Sequence, residues 1–205
     1  MRLLNTIKTI SMPLKRLFKV GLIVSTALLL NACTSHDIED YQGSSPHLDL
    51  KQFFNGSLTA HGMVQDFSGQ VVRRFTVKMF ASWEGNNGKI SEWFIYDDGE
   101  KQTRVWNIVN LGGGNYSGRA NDILDVATGR AVGMALQWQY DMVLPVGDTQ
   151  YQVRFDDWMF LVDENTMINR SDIIKFGLTM AEVTLVITKQ ADADFSNMIA
   201  ADEVQ

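Results

Sequence analysis

Apolar and polar side chains alternate with a period of two along most of the chain between residues 51 and 189. The clearest stretch is "LQWQYDMVL", residues 136–144, in which every second side chain is apolar and most of the others are polar. The stretches "RRFTVKMFASW" and "EVTLVITK", residues 73–83 and 182–189, alternate in the same way. This period is typical of β-strands that bury one face and expose the other.

Turn-forming residues separate the alternating stretches, as in "GNNGK" at 85–89, "DDGE" at 97–100, "LGGGN" at 111–115, "PVGD" at 145–148 and "DEN" at 163–165. Asn, Asp and Gly suit such places because they tolerate positive φ. No long segment has a helical period, so the predicted fold class is all-β. We expect eight to ten strands, near residues 57–66, 71–83, 89–96, 102–110, 115–121, 129–134, 136–145, 149–162, 166–176 and 181–189.

Consecutive hairpins over residues 51–189 predict a single domain, an up-and-down antiparallel β-barrel or, failing that, a sandwich. A closed barrel leaves no strand edge exposed. At about eight strands it encloses a cup wide enough for one small ligand.

The N-terminal segment has the pattern of a secretory signal. Residues 1–19 carry five basic and no acidic residues, and the apolar run "VGLIVSTALLL", residues 20–30, follows them. Such a run is about half as long as a membrane-spanning helix, and the arrangement is typical of a signal peptide. We therefore expect residues 1–32 to be removed.

The stretch "LLNAC" at the end of this segment resembles a bacterial lipobox and ends on Cys33, the only cysteine of the chain. The resemblance implies that Cys33 is acylated and that its acyl chains hold the protein to a membrane. Thr34 stands where an aspartate would favour retention at the inner membrane, so the expected location is the outer membrane, facing the periplasm. An ordinary cleaved signal and an uncleaved anchor are the alternatives.

The charge of the remaining chain limits its partners. Removal of residues 1–32 leaves 13 basic against 24 acidic residues, a net charge of −11. A domain this acidic is a poor partner for nucleic acid or anionic lipid, so membrane contact is expected from the acyl chains alone. The polar residues 33–50 predict a flexible tether and the acidic residues 190–205 a flexible tail.

The sequence offers no catalytic, cofactor or metal motif. The three histidines are not spaced as ligands, and no G-x-S-x-G motif occurs. The glycine-rich "GGGNYSG" at 112–118 lacks the lysine of a phosphate-binding loop and is expected to be a hairpin turn. We predict no catalytic residue, no metal site and no cofactor from these patterns.

One carboxylate stands in an otherwise apolar row. In a strand over residues 149–162, Asp157 shares a face with Val153 and Phe155. A turn at 163–166 would place Asp172 opposite Asp157, with Arg170 diagonal to it. Such a cluster is a structural ion pair, a polar anchor for a ligand head group in an apolar cup, or a general acid–base pair.

Aromatic residues and one arginine complete the predicted wall of the cup. Arg104 shares a face with Trp106, and it is expected at the rim, stacked on Trp106, or paired with an acid at 97–98. Trp138 and Tyr140 lie on the apolar face of the clearest strand. These residues are expected to form the core or to line a pocket.

Four stretches carry a resemblance to a known family: "FFNGSLTAHGMVQDFSGQVVRRFTV", "YDDGEKQTRVW", "FDDWMF" and "INRSDIIKFGLTMAEVTL". They resemble the proteobacterial lipoproteins grouped as a domain of unknown function, DUF3833. The resemblance implies a lipid-anchored envelope protein with a lipocalin-like barrel and assigns no catalytic residue. True lipocalins carry a G-x-W motif near the first strand, which "FFNGSLTAHG" lacks.

The function that these observations predict is the binding or transfer of a small hydrophobic or amphipathic molecule, such as a lipid. An envelope lipoprotein with a solidly packed barrel is the alternative, and an enzyme acting on a lipid-like substrate through Asp157 and Asp172 is a third reading.

Overall fold

Ten antiparallel strands form a closed barrel in the computed structural model, which describes residues 37–198. The strands are β1 Gly56–Asp66, β2 Val71–Glu84, β3 Asn87–Tyr96, β4 Lys101–Gly112, β5 Asn115–Ala120, β6 Ala127–Val132, β7 Ala135–Val146, β8 Thr149–Leu161, β9 Thr166–Lys175 and β10 Leu178–Lys189.

Each strand pairs with its neighbours along the chain, and β10 returns to pair with β1. The closing ladder runs from Leu58 opposite Lys189 to Asp66 opposite Ala181. The predicted all-β, up-and-down barrel is thus confirmed, with a strand number at the upper end of the expected range. Lipocalins close with eight strands, so this barrel has two more.

Alternation places one face of every strand inside the barrel, where the apolar residues of the sequence pattern form the core. Leu58, Met79, Leu136 and Met167, on four different strands, are among the largest fully buried side chains of this core. The opposite faces carry exposed residues such as His61 and Lys78.

Two inward-facing glycines make room for the largest side chain of the core. The indole of Trp138 lies against Gly118 on β5 and Gly129 on β6. A Cβ atom at Gly118 would lie 2.6 Å from Cζ2 of the indole, and one at Gly129 would lie 2.3 Å from Cε3. Both distances are shorter than a carbon–carbon contact, so Trp138 occupies its position only because these two residues lack side chains.

Residues 37–50, the described part of the predicted tether, pack against the barrel together with residues 51–55 and are not loose. A 3₁₀ turn at Ile38–Tyr41 buries Ile38, and a short helix, α1, covers Leu50–Phe53. The side chain of Asp49 caps α1 by accepting from the N–H groups of Lys51 and Gln52. The prediction failed because a few apolar residues, although irregularly spaced, suffice to anchor a mostly polar segment.

Helix α1 and the residue after it cover one end of the barrel. Leu50 and Phe53 are each 2 % exposed. The indole N–H of Trp83 donates to the carbonyl oxygen of Phe54 at 2.7 Å, and the ammonium of Lys189 donates to that of Gln52 at 2.8 Å. These bonds join the N-terminal segment to β2 and β10, so it belongs to the folded domain.

The first residues of the predicted tail also contact the barrel. The N–H of Phe195 donates to the hydroxyl of Ser57 at 2.9 Å, and the side chain of Gln190 donates to Thr59 at 3.0 Å. Residues 199–205, and residues 1–36 with the predicted signal and Cys33, lie outside the described residues. Within residues 37–198, every helix is too short or too polar to span a bilayer.

Candidate functional site

The barrel encloses a cavity lined by alternate residues of the strands and by the N-terminal segment. The space open to the centre of a water-sized sphere is about 140 Å³. Most of its lining is apolar: Leu50, Phe54, Phe75, Val77, Met79, Ile90, Phe94, Trp106, Ile108, Leu136, Trp138, Phe155, Met159, Val183, Leu185 and Ile187.

Aromatic rings form one continuous wall of this cavity. Trp106 meets Trp138 and Tyr140 edge to face, with ring centroids 5.5 and 5.3 Å apart. Tyr140 stacks on Phe155 at 5.0 Å. Rings in these arrangements attract one another beyond the burial of their area, which makes this side of the cavity well defined.

Asp157 lies inside the barrel and is 6 % exposed. The hydroxyls of Ser171 and Tyr140 donate to its carboxylate. Burial raises the pKa of this carboxyl to about 7, against the opposing effect of the Ser171 hydrogen bond, the Arg104 charge and the Tyr140 hydrogen bond. Its Oδ1 is shielded from solvent and has no hydrogen-bond partner among residues 37–198.

A second carboxyl, that of Glu92, faces the same cavity from β3 and pairs across the sheet with Arg104 on β4. Burial raises the pKa of Glu92 to about 7, although the Arg104 charge lowers it. Its Oε2 is likewise shielded and unpartnered within the described part of the chain. The cavity therefore holds two carboxyl groups that titrate near neutral pH.

Arg104 is the cation of the cavity. Asp122, in the β5–β6 connection, accepts hydrogen bonds from one edge of its guanidinium, that of Nε and Nη2. Its Nε donates to Asp122 Oδ1 at 3.1 Å and to Oδ2 at 2.8 Å, and Nη2 lies 2.7 Å from Oδ2. The side chains are 16 and 19 % exposed. Although burial lowers the pKa of Arg104, the surrounding Tyr140, Glu92 and Asp122 raise it above its ordinary value.

Two buried polar residues of β9 extend the network below Asp157. The side-chain N–H of Asn169 donates to the hydroxyl of Ser171 at 3.0 Å, and Ser171 in turn donates to Asp157. Asn169 and Ser171 are 5 and 3 % exposed. The amide oxygen of Asn169 has no donor within residues 37–198.

The predicted cluster of Asp157 with Asp172 and Arg170 is wrong. Asp157 lies opposite Ser171, while Asp172 lies opposite Asp156 on the outer face. The N–H of Val162 bonds to the carbonyl of Thr166, which closes the β8–β9 turn one residue away from the expected register. A slip of one residue moves every side chain to the other face, so Asp172 and Arg170 point outward.

On the outer face Arg170 forms an ion pair with Glu182 of β10. Glu182 also lies directly opposite Asp172. Burial and the neighbouring Glu182 raise the pKa of Asp172, and Arg170 opposes the shift. Asp172 and Arg170 therefore belong to the outer surface of the barrel wall.

The structure brings Arg104, Trp106, Trp138 and Tyr140 to the cavity. Arg104 lies inside the barrel and not at the rim, and its partner is Asp122, while Asp97 and Asp98 bind Arg74 and Arg73. The guanidinium carbon lies 5.9 Å from the Trp106 ring centroid. Of the three alternatives, a contact with Trp106 is present, at the outer limit of distance for a cation–π interaction.

Sequence reasoning missed Glu92, Asp122, Asn169 and Ser171. The stretch "ISEWFIY" is apolar on both faces, because Trp93 is buried on the outside of the barrel while Glu92 points inward. Pairing Glu92 with Arg104 across the "DDGE" turn would have identified Glu92 as a candidate site residue. Asp122 lies in a connection without periodicity and gave no signal.

No three side chains of His, Cys, Asp or Glu within residues 37–198 are placed to hold a metal ion together. The arrangement can bind a small molecule. Its apolar wall provides contact area for an apolar ligand, and the buried acceptors can fix the orientation of the ligand. Such a combination is typical of small-molecule sites.

Solved structures resemble the chain only distantly. One is an S-type phycobiliprotein lyase, CPES, from Guillardia theta, with 9 % identity and a TM-score of 0.47 over 68 % of this chain and 89 % of that one. Another is the odorant binding protein OBP1, with 13 % identity and a TM-score of 0.32 over 78 % of this chain and 86 % of that one. Among curated protein sequences, none matches the chain at a significant level.

A family model covers most of the chain. It matches residues 27–189, from the end of the apolar N-terminal run to the last residue of β10. The match spans the four stretches on which the resemblance rested and confirms the family. The chain belongs to the family described as protein of unknown function, DUF3833.

Proposed function

We propose that this protein is a lipid-anchored envelope protein whose barrel binds a small hydrophobic or amphipathic molecule, such as a lipid. The observation that carries the proposal is the unfilled, mostly apolar cavity with a buried polar set on one side. A ligand's tail fits the aromatic and aliphatic wall, and its head meets Glu92, Arg104, Asp157 and their neighbours.

The volume of the cavity supports binding over a purely structural role. At about 30 Å³ of liquid volume for each water, the 140 Å³ of the barrel correspond to about five water molecules. Protein interiors pack with few voids larger than one water. A barrel built only for structure would fill this space with larger side chains at positions such as Val77 or Val183.

The enzyme reading loses its predicted acid–base pair, because Asp157 and Asp172 lie on opposite faces of the barrel wall. Their separation by the sheet leaves no geometry in which both contact one substrate. Binding therefore remains the function that the site supports best.

Binding is tested by titrating the full-length chain, held in lipid nanodiscs, with 1-octanol. Trp106 and Trp138 line the cavity, so tryptophan fluorescence reports its occupation. Val183→Phe, which puts a ring into the cavity, should weaken binding by at least about tenfold, which corresponds to about 1.4 kcal/mol. Val186→Phe, on the exposed face of the same strand, should bind as the wild type does. A titration without saturable binding, or equal binding by both variants, would refute the proposal.

The anchor rests on the lipobox pattern at Cys33, and the proposed location is the outer membrane, facing the periplasm. Cys33→Ser should abolish incorporation of a labelled fatty acid in cells and leave the precursor uncleaved. Labelling that persists in the variant would contradict the anchor. This experiment is independent of the cavity, so binding and anchoring can each fail alone.

A further inference from the structure

We infer that the bound molecule carries a cationic head group, a primary ammonium on a short apolar tail, and that Glu92, Asp157 and Asn169 receive it. This inference rests on the proposed function and specifies its ligand. The three residues are called the acceptor cluster below.

Each member of the acceptor cluster lines the cavity and offers one oxygen that is shielded from solvent and has no donor within residues 37–198. These atoms are Glu92 Oε2, Asp157 Oδ1 and Asn169 Oδ1. Asp157 and Asn169 are 6 and 5 % exposed. Buried polar atoms are nearly always hydrogen-bonded, so three unpartnered acceptors around one cavity point to a donor that comes from the ligand.

The charged donor of the cavity is already engaged. Arg104 uses Nε and Nη2 on both oxygens of Asp122. A carboxylate head group would meet a guanidinium whose charge Asp122 already balances. It would also lie near Glu92 and Asp157, two groups of its own sign, so the site disfavours fatty acids.

The charges around the cavity favour a cation. Glu92, Asp122 and Asp157 face a single guanidinium, that of Arg104. With all carboxyls ionised, the set carries two negative charges in excess. Burial raises the pKa of both Glu92 and Asp157 to about 7. Without a ligand these carboxyls therefore hold protons, and a bound cation would take the place of those protons in balancing their charge.

A metal ion is not the expected cation, because no group of three suitable ligands exists in the described part of the chain. An ammonium offers up to three donors to as many acceptors, and the acceptor cluster has three free oxygens. The apolar wall fits the tail of such an amphiphile.

The test compares three probes that share an eight-carbon tail and differ in the head: octylamine, 1-octanol and octanoate. Their affinities for the full-length chain in nanodiscs are measured by calorimetry at pH 8, with empty nanodiscs as the blank. Octylamine should bind at least about tenfold more tightly than octanoate. Asp157→Asn should lower octylamine affinity about tenfold and leave 1-octanol unchanged. Asp156→Asn, the neighbouring residue on the outer face, should leave all three affinities unchanged.

The pH dependence adds a second readout. An alkylammonium, like lysine, stays protonated below about pH 10, so a change between pH 5.5 and 8 reports the carboxyls. Octylamine affinity should rise over this range by about tenfold or more, because Glu92 and Asp157 must lose their protons to hold the cation. Of the other groups that face Asp157, Arg104 and Tyr140 have pKa values raised above their ordinary ones and keep their charge in this range, and the Ser171 hydroxyl does not ionise.

Failure of the inference differs from failure of the proposed function. Octanoate binding as tightly as octylamine, or octylamine binding that Asp157→Asn leaves intact, would overturn the cationic head group and keep the binding barrel. Absence of binding by all three probes would overturn both. Glu92→Gln serves as the second variant if Asp157→Asn does not fold, and it should show the same selective loss of octylamine.

Discussion

Asp157 is a carboxyl group held among aromatic rings, and its environment should make the stability of the protein depend on pH. Its pKa is about 7 in the fold and about 3.8 in an unfolded chain. Below about pH 4 both states are protonated, and between these values only the unfolded state releases the proton. The contribution of Asp157 to stability is therefore full at low pH and is lost as the pH rises to about 7.

This dependence gives a prediction for Asp157→Asn. The wild type should lose about 3 kcal/mol of unfolding free energy relative to the variant between pH 4.5 and pH 8, since each pKa unit is worth about 1.4 kcal/mol. Urea unfolding at several pH values measures the difference, and Asp156→Asn on the outer face provides the control. A difference between wild type and Asp157→Asn that stays constant with pH would contradict the buried, protonated carboxyl.

The residues of the site also show what a sequence pattern reveals about side chains. Asp157 could be recognised because its neighbours at every second position are apolar. Alternation alone did not mark Glu92, because its strand is apolar on both faces, and only its pairing with Arg104 across the next turn would have identified it. The placement of Asp172 and Arg170 failed by one residue of register. The closure of the turn after Leu161 decides that register, and backbone hydrogen bonds there are not encoded in the alternation of the strands.

At the scale of elements, the N-terminal segment should contribute to stability as a part of the domain. Leu50 is 2 % exposed and lines the base of the cavity. Leu50→Ala should lower the unfolding free energy by about 2–4 kcal/mol, as large-to-small changes in a core do. Gln52→Ala, on the exposed side of α1, should cost less than about 0.5 kcal/mol. Chemical unfolding measures both, and equal small losses would return residues 37–55 to the role of a tether.

The glycines of the short strands β5 and β6 should be intolerant of a side chain. Gly129→Ala places a methyl group against the Trp138 indole and should cost about 1–3 kcal/mol by overpacking. Thr128→Ala, its exposed neighbour, should cost little. Unfolding experiments give the cost, and the emission of Trp138 should shift only in the glycine variant. A neutral Gly129→Ala would show that the indole has room to move.

Elements were more accessible to sequence reasoning than the segments between them. Strand bounds follow from alternation and turn residues, and each of the ten expected stretches contains an observed strand or most of one. The packing of residues 37–55 was missed because their few apolar residues are irregularly spaced. What holds them is contact with parts of the barrel that are distant in sequence, such as the bond from Trp83 to Phe54.

At the scale of the whole molecule, closure of ten strands creates an interior that the inward side chains do not fill completely. Barrel diameter grows with strand number, and about eight strands are just wide enough to be filled or to hold one small ligand. The α1 segment and the indole of Trp138 occupy part of the additional width. The remaining volume, with its apolar wall and buried acceptors, is the property from which the proposed function follows.

The central claim is that the barrel carries a small molecule, and its most direct test is native mass spectrometry of the full-length chain purified gently from the cells that naturally produce it. The account predicts a bound small molecule on the wild type and on Val186→Phe, released by organic extraction and largely absent from Val183→Phe. A wild-type protein that carries no small molecule under these conditions, or a Val183→Phe protein that carries as much as the wild type, would contradict it.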